Sequence, residues 1–154
     1  MDSEKKISLI RLTMEEAEKA VGEGNAPYGA VLTDKNGNVI VAEHNTARSS
    51  CDPTAHAEMA LLRKACQQLK TRDLGGYCLF SNTESCSMCM SAGIKAGIVD
   101  YCFGSFYDRS IMSSDPDLTV FEIAERSKSK LSIETDILRE ECLAQIKRGN
   151  EKLK

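Results

Sequence analysis

Residues 28–45, YGAVLTDKNGNVIVAEHN, set two apolar runs on either side of a four-residue turn. Gly37 stands where such a turn calls for positive φ, which glycine adopts without steric cost. The segment predicts a hairpin with strands at 28–34 and 39–45. Everything beyond it alternates. After a polar loop at 46–54, AHAEMALLRKACQQL (55–69) has helical periodicity, with Asp52 or Thr54 placed to cap its start. A strand follows at 77–82 (YCLFSN), then a helix from Ser85–Cys86 to Ala96 and a strand at 98–106 (IVDYCFGSF). The C-terminal part reads as a short helix at 118–125, an edge strand at 130–134 and an amphipathic helix at 137–148 with Leu138, Cys142 and Ile146 in register. Ahead of the hairpin, Ile7, Ile10, Met14, Ala17 and Val21 mark one face of a helix from 3 to 23, which GEGN and Pro27 end. A hairpin followed by helix–strand alternation requires a partly parallel sheet with helices on its faces. The expected fold is α/β: a three-layer α/β/α sandwich on a five-stranded mixed sheet, with 1–154 as a single domain.

In open sheets of this kind, sites form beyond the carboxyl ends of strands, where helices begin. Two short motifs fall at such places: HAE at 56–58 and CSMC at 86–89. Either alone is weak evidence, because a CxxC or an HxE arises easily by chance. Together, in this order and each at a helix start, they describe a site. A helix N-terminus favours the thiolate, the form of cysteine that binds metal. Cys86 and Cys89, three apart, share a helix face, and neutral His56 adds a nitrogen. The set Cys₂His leaves one tetrahedral position open, the mark of a catalytic zinc rather than a structural one. One Zn²⁺ per chain is expected, with a catalytic water whose pKa the metal brings to about 7. Glu58, two residues from His56, is suited to carry that water's proton. A redox CxxC has no use for the HAE partner. A structural zinc would need a fourth ligand, for which His44, Cys51 and Cys66 are the candidates.

Composition excludes other classes. No apolar run approaches the roughly 18–20 residues of a membrane span, and MDSEKKISLI lacks the apolar core of a signal peptide. A cytoplasmic location follows, with the seven cysteines mostly reduced. Cys51, Cys66, Cys78, Cys102 and Cys142 read as small buried hydrophobes. A net charge of −3 and a pI of about 5.5 give no general attraction to nucleic acid. Lys147, Arg148, Lys152 and Lys154 cluster at the C-terminus, where cations also complement a helix dipole.

HAE with CSMC resembles the zinc-dependent cytidine deaminase-like family, whose signature is H-x-E…P-C-x-x-C. The likeness covers about residues 14–148. APYGAVL (26–32) resembles the family's first strand, DPTAHAEM (52–59) the form in guanine and tRNA adenosine deaminases, and LREECLAQI (138–146) the last helix of the tRNA-type branch. Ser85 departs from the pattern, standing where the family carries proline; serine, itself a good N-cap, can keep the helix start.

The resemblance implies hydrolytic deamination of an aminated heteroaromatic ring, with Glu58 moving the protons. It implies that Asn45, eleven residues before His56, bonds the base, and that the Ala57 amide orients it. Tyr28 is either a pocket wall or a core residue, and Glu84 either shuttles protons or faces water. Asp115 and Asp117 are substrate contacts or turn formers in SSDPD. Residues 103–117 fall where the family sets substrate choice. A small-molecule substrate is expected, a free nucleobase or nucleoside with guanine first. The alternatives are adenosine in tRNA and a catalytically idle zinc-binding module. A homodimer is implied by the resemblance alone.

Overall fold

The computed structural model describes residues 1–107 and 115–154. Its elements are α1 (Ser3–Gly22), β1 (Gly29–Thr33), β2 (Val39–His44), α2 (Ala57–Leu69), β3 (Cys78–Ser81), α3 (Ser87–Lys95), β4 (Asp100–Phe103), α4 (Val120–Arg126), β5 (Ser132–Glu134) and α5 (Arg139–Lys152). The order is the one expected from the sequence. The five strands lie as β2-β1-β3-β4-β5; β1 is antiparallel to both neighbours, while β3, β4 and β5 run parallel. The sheet is therefore mixed, and the hairpin supplies its antiparallel part.

Strand periodicity sorts the core into two layers. Ala30, Leu32, Leu79, Tyr101 and Phe103 pack against Leu61 and Ala65 of α2, Met90 of α3 and Val120 of α4. On the other face Val31, Cys78, Phe80 and Cys102 meet Leu9 and Ile10 of α1 and Cys142 of α5. Three of the five cysteines expected to be core residues are thus buried in one cluster. The other two are not. Cys66 is half-buried, and Cys51 is exposed on the 46–54 loop with φ of 53°.

Two glycines allow close approaches that shape the site end of the sheet. A Cβ at Gly29 would lie 2.0 Å from the Thr13 carbonyl oxygen, so α1 presses directly on β1. A Cβ at Gly149 would lie 2.5 Å from Pro27 Cβ, which sets the end of α5 against the residue before Tyr28. That contact explains why α5 continues to Lys152, past the expected 148: burial of Gly149 holds the helix beyond its periodic stretch. At the other extreme β4 stops at Phe103 rather than 106, since Gly104 and Ser105 turn to bond the end of β3, with Gly104 N donating to the Ser81 carbonyl at 2.9 Å and Ser105 Oγ to the Asn82 carbonyl at 3.1 Å.

His44, one of the candidate fourth zinc ligands, is spent elsewhere. Its Nδ1 lies 2.9 Å from Glu16 Oε2 and its Nε2 2.9 Å from Glu23 Oε2, tying β2 to α1. Glu16 also accepts from Lys19 Nζ at 2.6 Å. Burial alone would lower the His44 pKa, but the two carboxylates outweigh it and raise it. Burial likewise pushes the Glu16 carboxyl up, while Lys19 and His44 together bring it below its usual range. A raised histidine stabilises the fold below its unfolded pKa and loses that contribution as pH rises through the folded value; a lowered glutamate loses its contribution as pH falls through the folded value. The clamp is strongest between about pH 4.5 and 6.5, the ordinary values of the two groups. His44→Gln is expected to lower Tm by roughly 2–4 °C at pH 6, with the gap to wild type closing towards pH 9 in thermal melts; an equal gap at both pH values would disprove the clamp.

Candidate functional site

α2 and α3 begin at Ala57 and Ser87, so their N-cap residues are His56 and Cys86. Both caps are extended, with ψ of 156° and 167°, and neither side chain makes the usual capping bond. Asp52 and Thr54 do not take the capping role expected of them. Asp52 Oδ1 accepts from the Thr54 amide and hydroxyl at 2.8 and 2.7 Å, closing the preceding loop. Ser85, the other expected cap, also does not cap. An N-cap side chain ordinarily serves the helix's own unpaired amides. Here both N-cap side chains face each other, and two positive helix ends meet at one point.

At that point the donors converge. Cys86 Sγ lies 3.5 Å from His56 Nδ1 and 3.5 Å from Cys89 Sγ, and Cys89 Sγ lies 3.6 Å from His56 Nδ1. Tetrahedral zinc, with Zn–S of about 2.3 Å and Zn–N of about 2.0–2.1 Å, sets donor–donor edges of roughly 3.5–3.8 Å. The three side chains fit the ion. Among the described residues they are the one His/Cys/Asp/Glu group close enough to share a metal, and none supplies a fourth ligand. The electrostatics agree with a thiolate donor. Hydrogen bonding from Cys89, against the opposing effect of burial, together with contact from His56, brings the Cys86 thiol down to about 5. The bond to Cys86 raises His56 to about 9, while Cys89, which serves Cys86 as donor and is buried, is pushed up.

Glu58 stands one residue inside α2 and is only 6% exposed. Burial first, then the charge of Cys86, raises its carboxyl pKa; a hydrogen bond from Ser85 opposes both. Ser85 Oγ donates to Glu58 Oε1 at 2.8 Å.

His56, Glu58 and Cys86 line a cavity of about 300 Å³. Asn45 is in its wall, buried, with its own amide donating to the Tyr28 carbonyl and its Oδ1 accepting from Ala47 N, both at 3.0 Å. Tyr28 is a wall residue; burial pushes its hydroxyl up to about 12, although a bond with Asn150 of α5 opposes the shift. Ala57 is buried at the head of α2 and is not among the lining residues. Glu84 borders the cavity, yet it neither faces water nor stands free for proton traffic. It is buried, and its carboxylate accepts the amides of Tyr107 at 2.9 Å and Val120 at 3.2 Å. Asp115 lines the cavity and accepts the Tyr107 hydroxyl at 2.7 Å; Asp117 is exposed and lies outside it. Of the loop expected to set substrate choice, residues 108–114 lie outside the described residues. Sequence reasoning missed Arg48, Tyr107 and Asn150 in the wall and the contact of Ser85 with Glu58. Asn150 lies beyond the periodic part of the last helix, and Arg48 sits in an ordinary polar loop.

Residues 3–105 match the family described as the cytidine and deoxycytidylate deaminase zinc-binding region. This chain belongs to that family. It is accordingly a zinc-dependent deaminase, and His56, Cys86 and Cys89 are the donor set the structure offers the metal. It is 33% identical over 133 residues to a tRNA-specific adenosine deaminase of Bacillus subtilis, covering 86% of this chain and 81% of that one. It is 42% identical over 66 residues to a guanine deaminase of the same organism, covering 43% and 42%. A structure from work on A-to-I editing by tRNA:A34 deaminases superposes with a TM-score of 0.79 at 26% identity, covering 90% of this chain and 99% of that one. Cys86→Ser or Cys89→Ser is expected to cut zinc content from about one ion per chain to a small fraction after dialysis, measured by plasma mass spectrometry. Cys51→Ser and Cys66→Ser should leave it unchanged; zinc retained in the first pair would remove this site from contention.

Proposed function

We propose that the protein hydrolytically deaminates adenosine carried in an RNA, using Glu58 as its proton carrier. The observation that carries the chemistry is the placement of a buried carboxylate beside an open Cys₂His donor set. His56, Cys86 and Cys89 would hold zinc, whose bound water ionises near neutral pH. Glu58 would take one proton from the attacking water and give it to the ring nitrogen, then take the second from the oxygen now on the ring carbon and give it to the amine, which leaves as ammonia as the C–N bond breaks and the C=O bond forms. Asn45 would orient the base through its side-chain amide, with the Ala57 amide at the head of α2 as a second contact. Tyr28, Tyr107 and Asn150 would exclude bulk water from the ring. Asp115 would contact the base from the loop side; the exposed Asp117 would act only in a longer substrate.

The choice of adenosine in RNA draws on the B. subtilis tRNA deaminase, which this chain matches over most of both lengths. A few cations stand near the cavity: Asn150 lines its wall, Lys147, three residues earlier on α5, shares that helix face and is exposed, and Arg48 is an exposed residue of the lining. Such cations suit a phosphate backbone. Guanine as a free base is the second reading, favoured by the guanine deaminase match and by the overall negative charge. An idle zinc module would have no use for a buried Glu58.

The deciding assay is ammonia release by zinc-loaded protein from an adenosine-containing tRNA anticodon stem-loop and from adenosine, guanine, guanosine, cytosine and cytidine. Turnover of the stem-loop that weakens steeply with salt is expected, with Glu58→Ala lowering it at least ~100-fold. Release from guanine alone would install the second reading; silence throughout would leave the idle module.

We propose a homodimer in the cytoplasm as the working form. An apolar groove of about 650 Å³ between α2 and α3, lined by Met59, Leu62, Cys66, Ala92, Ile94 and Ala96, carries both Asp73 and the cations Arg63, Arg72 and Lys95 at its rim. A two-fold interface needs such self-complementary signs. Light scattering should give twice the 16.9 kDa chain mass and a shift towards one chain mass in Ile94→Glu; a monomeric wild type would refute the dimer.

A further inference from the structure

We propose that Ser85 is a positioning residue that sets the orientation of the Glu58 carboxylate for proton transfer. This rests on the deaminase mechanism given above. Position 85 directly precedes the first donor cysteine, where the family pattern has proline. A serine there would be expected to rescue the helix start as a cap, but Cys86 is the N-cap and the serine hydroxyl goes to Glu58 Oε1 at 2.8 Å. Ser85 is 4% and Glu58 6% exposed, so bulk water competes for neither partner.

The backbone that carries the hydroxyl is held on both sides. Before it, Glu84 N donates to the Ser105 carbonyl at 2.9 Å, and the Glu84 carboxylate takes the amides of Tyr107 and Val120. After it, the Cys86 carbonyl accepts from Met90 N at 2.9 Å. Ser85 is thus fixed to the same backbone that presents a metal donor. Glu58 sits on the other helix, in the same turn as His56. The bond therefore ties the proton carrier of one helix to the metal-bearing start of the other.

A glutamate side chain turns about three bonds, and the last is soft. A carboxylate that carries two protons in turn from one oxygen, the first to a ring nitrogen and the second to a departing amine, works only while its own oxygens keep their direction. With Oε1 held by Ser85, one oxygen of the group has a fixed partner and the soft last bond loses freedom. Proline at position 85 would pre-set the backbone entering α3, but it offers no donor to Oε1.

The test compares zinc-loaded wild type, Ser85→Ala, Ser85→Pro and Ser85→Thr on the tRNA stem-loop and on guanine. Alanine removes the hydroxyl and keeps the amide; proline removes both and restores the ring; threonine keeps the hydroxyl. With zinc content and Tm unchanged, kcat is expected to fall roughly 10- to 100-fold in the alanine and proline variants at unaltered KM, and threonine to recover most of it. Wild-type kcat in Ser85→Ala or Ser85→Pro, or a loss confined to KM or zinc content, would overturn the proposal. Crystal structures of zinc-loaded wild type and Ser85→Ala give a readout without turnover. Glu58 should occupy one position in the first and leave it in the second, and an unmoved Glu58 would also overturn the proposal. A wild type silent on every substrate would instead overturn the deaminase mechanism, and the crystallographic comparison alone would then decide the role of Ser85.

Discussion

Two helices start at one place, and most of the molecule serves that meeting. The N-termini of α2 and α3 each bring unpaired amides and a positive dipole end, which would repel if nothing lay between them. A thiolate at the N-cap of α3 and a second thiol one turn on are what lie there. The low pKa of Cys86 and the raised pKa of His56 are two sides of this arrangement. A divalent cation held by the trio would replace that internal pairing, with Cys86 and Cys89 binding it as thiolates and His56 as the neutral imidazole.

The sheet is what makes the meeting repeatable. β1 and β3 are neighbours, and the loops leaving the β1–β2 hairpin and β3 lead to the two helix starts. Behind them Asn82 holds the corner: its Oδ1 accepts Gly29 N at 3.1 Å and its Nδ2 donates to the Pro27 carbonyl at 2.9 Å. Gln145 of α5 donates to the Met14 carbonyl at 2.8 Å, which fixes α5 on α1. The cavity wall at Tyr28 and Asn150 thus depends on a polar network buried on the far side of β1. Such networks hold a single arrangement only when every member is satisfied.

How much of this can be read from the residues alone differs by the range of the interaction. The apolar runs of β1 and β3 are local and mark buried strands, but both faces of each are buried, so the split of Val31 and Phe80 from Leu32 and Leu79 between the two layers shows only in the fold. HAE and CSMC are also local, because the spacing within each is set in one helical turn, although their convergence is tertiary. The contacts that failed to show were tertiary. Ser85 was read as a cap since serine near a helix start usually is one; its partner lies 27 residues away on another helix. Glu84 reads in sequence as a proton shuttle or a solvated acid, and it bonds the amides of Tyr107 and of Val120 at the head of α4, which meet it only in the fold. Cys51 was placed in the core from its residue type, while its backbone conformation belongs to an exposed turn. Asn150 lies past the last apolar repeat, and only the contact of Gly149 with Pro27 shows why the helix reaches it.

Glu84 carries a consequence for how the site is held together. Its carboxylate takes one amide at Tyr107, in the cavity wall, and another at the first residue of α4. It is buried and stands two residues before the donor Cys86. One buried acid therefore makes the start of the donor-bearing helix, the wall at Tyr107 and α4 a single mechanical unit.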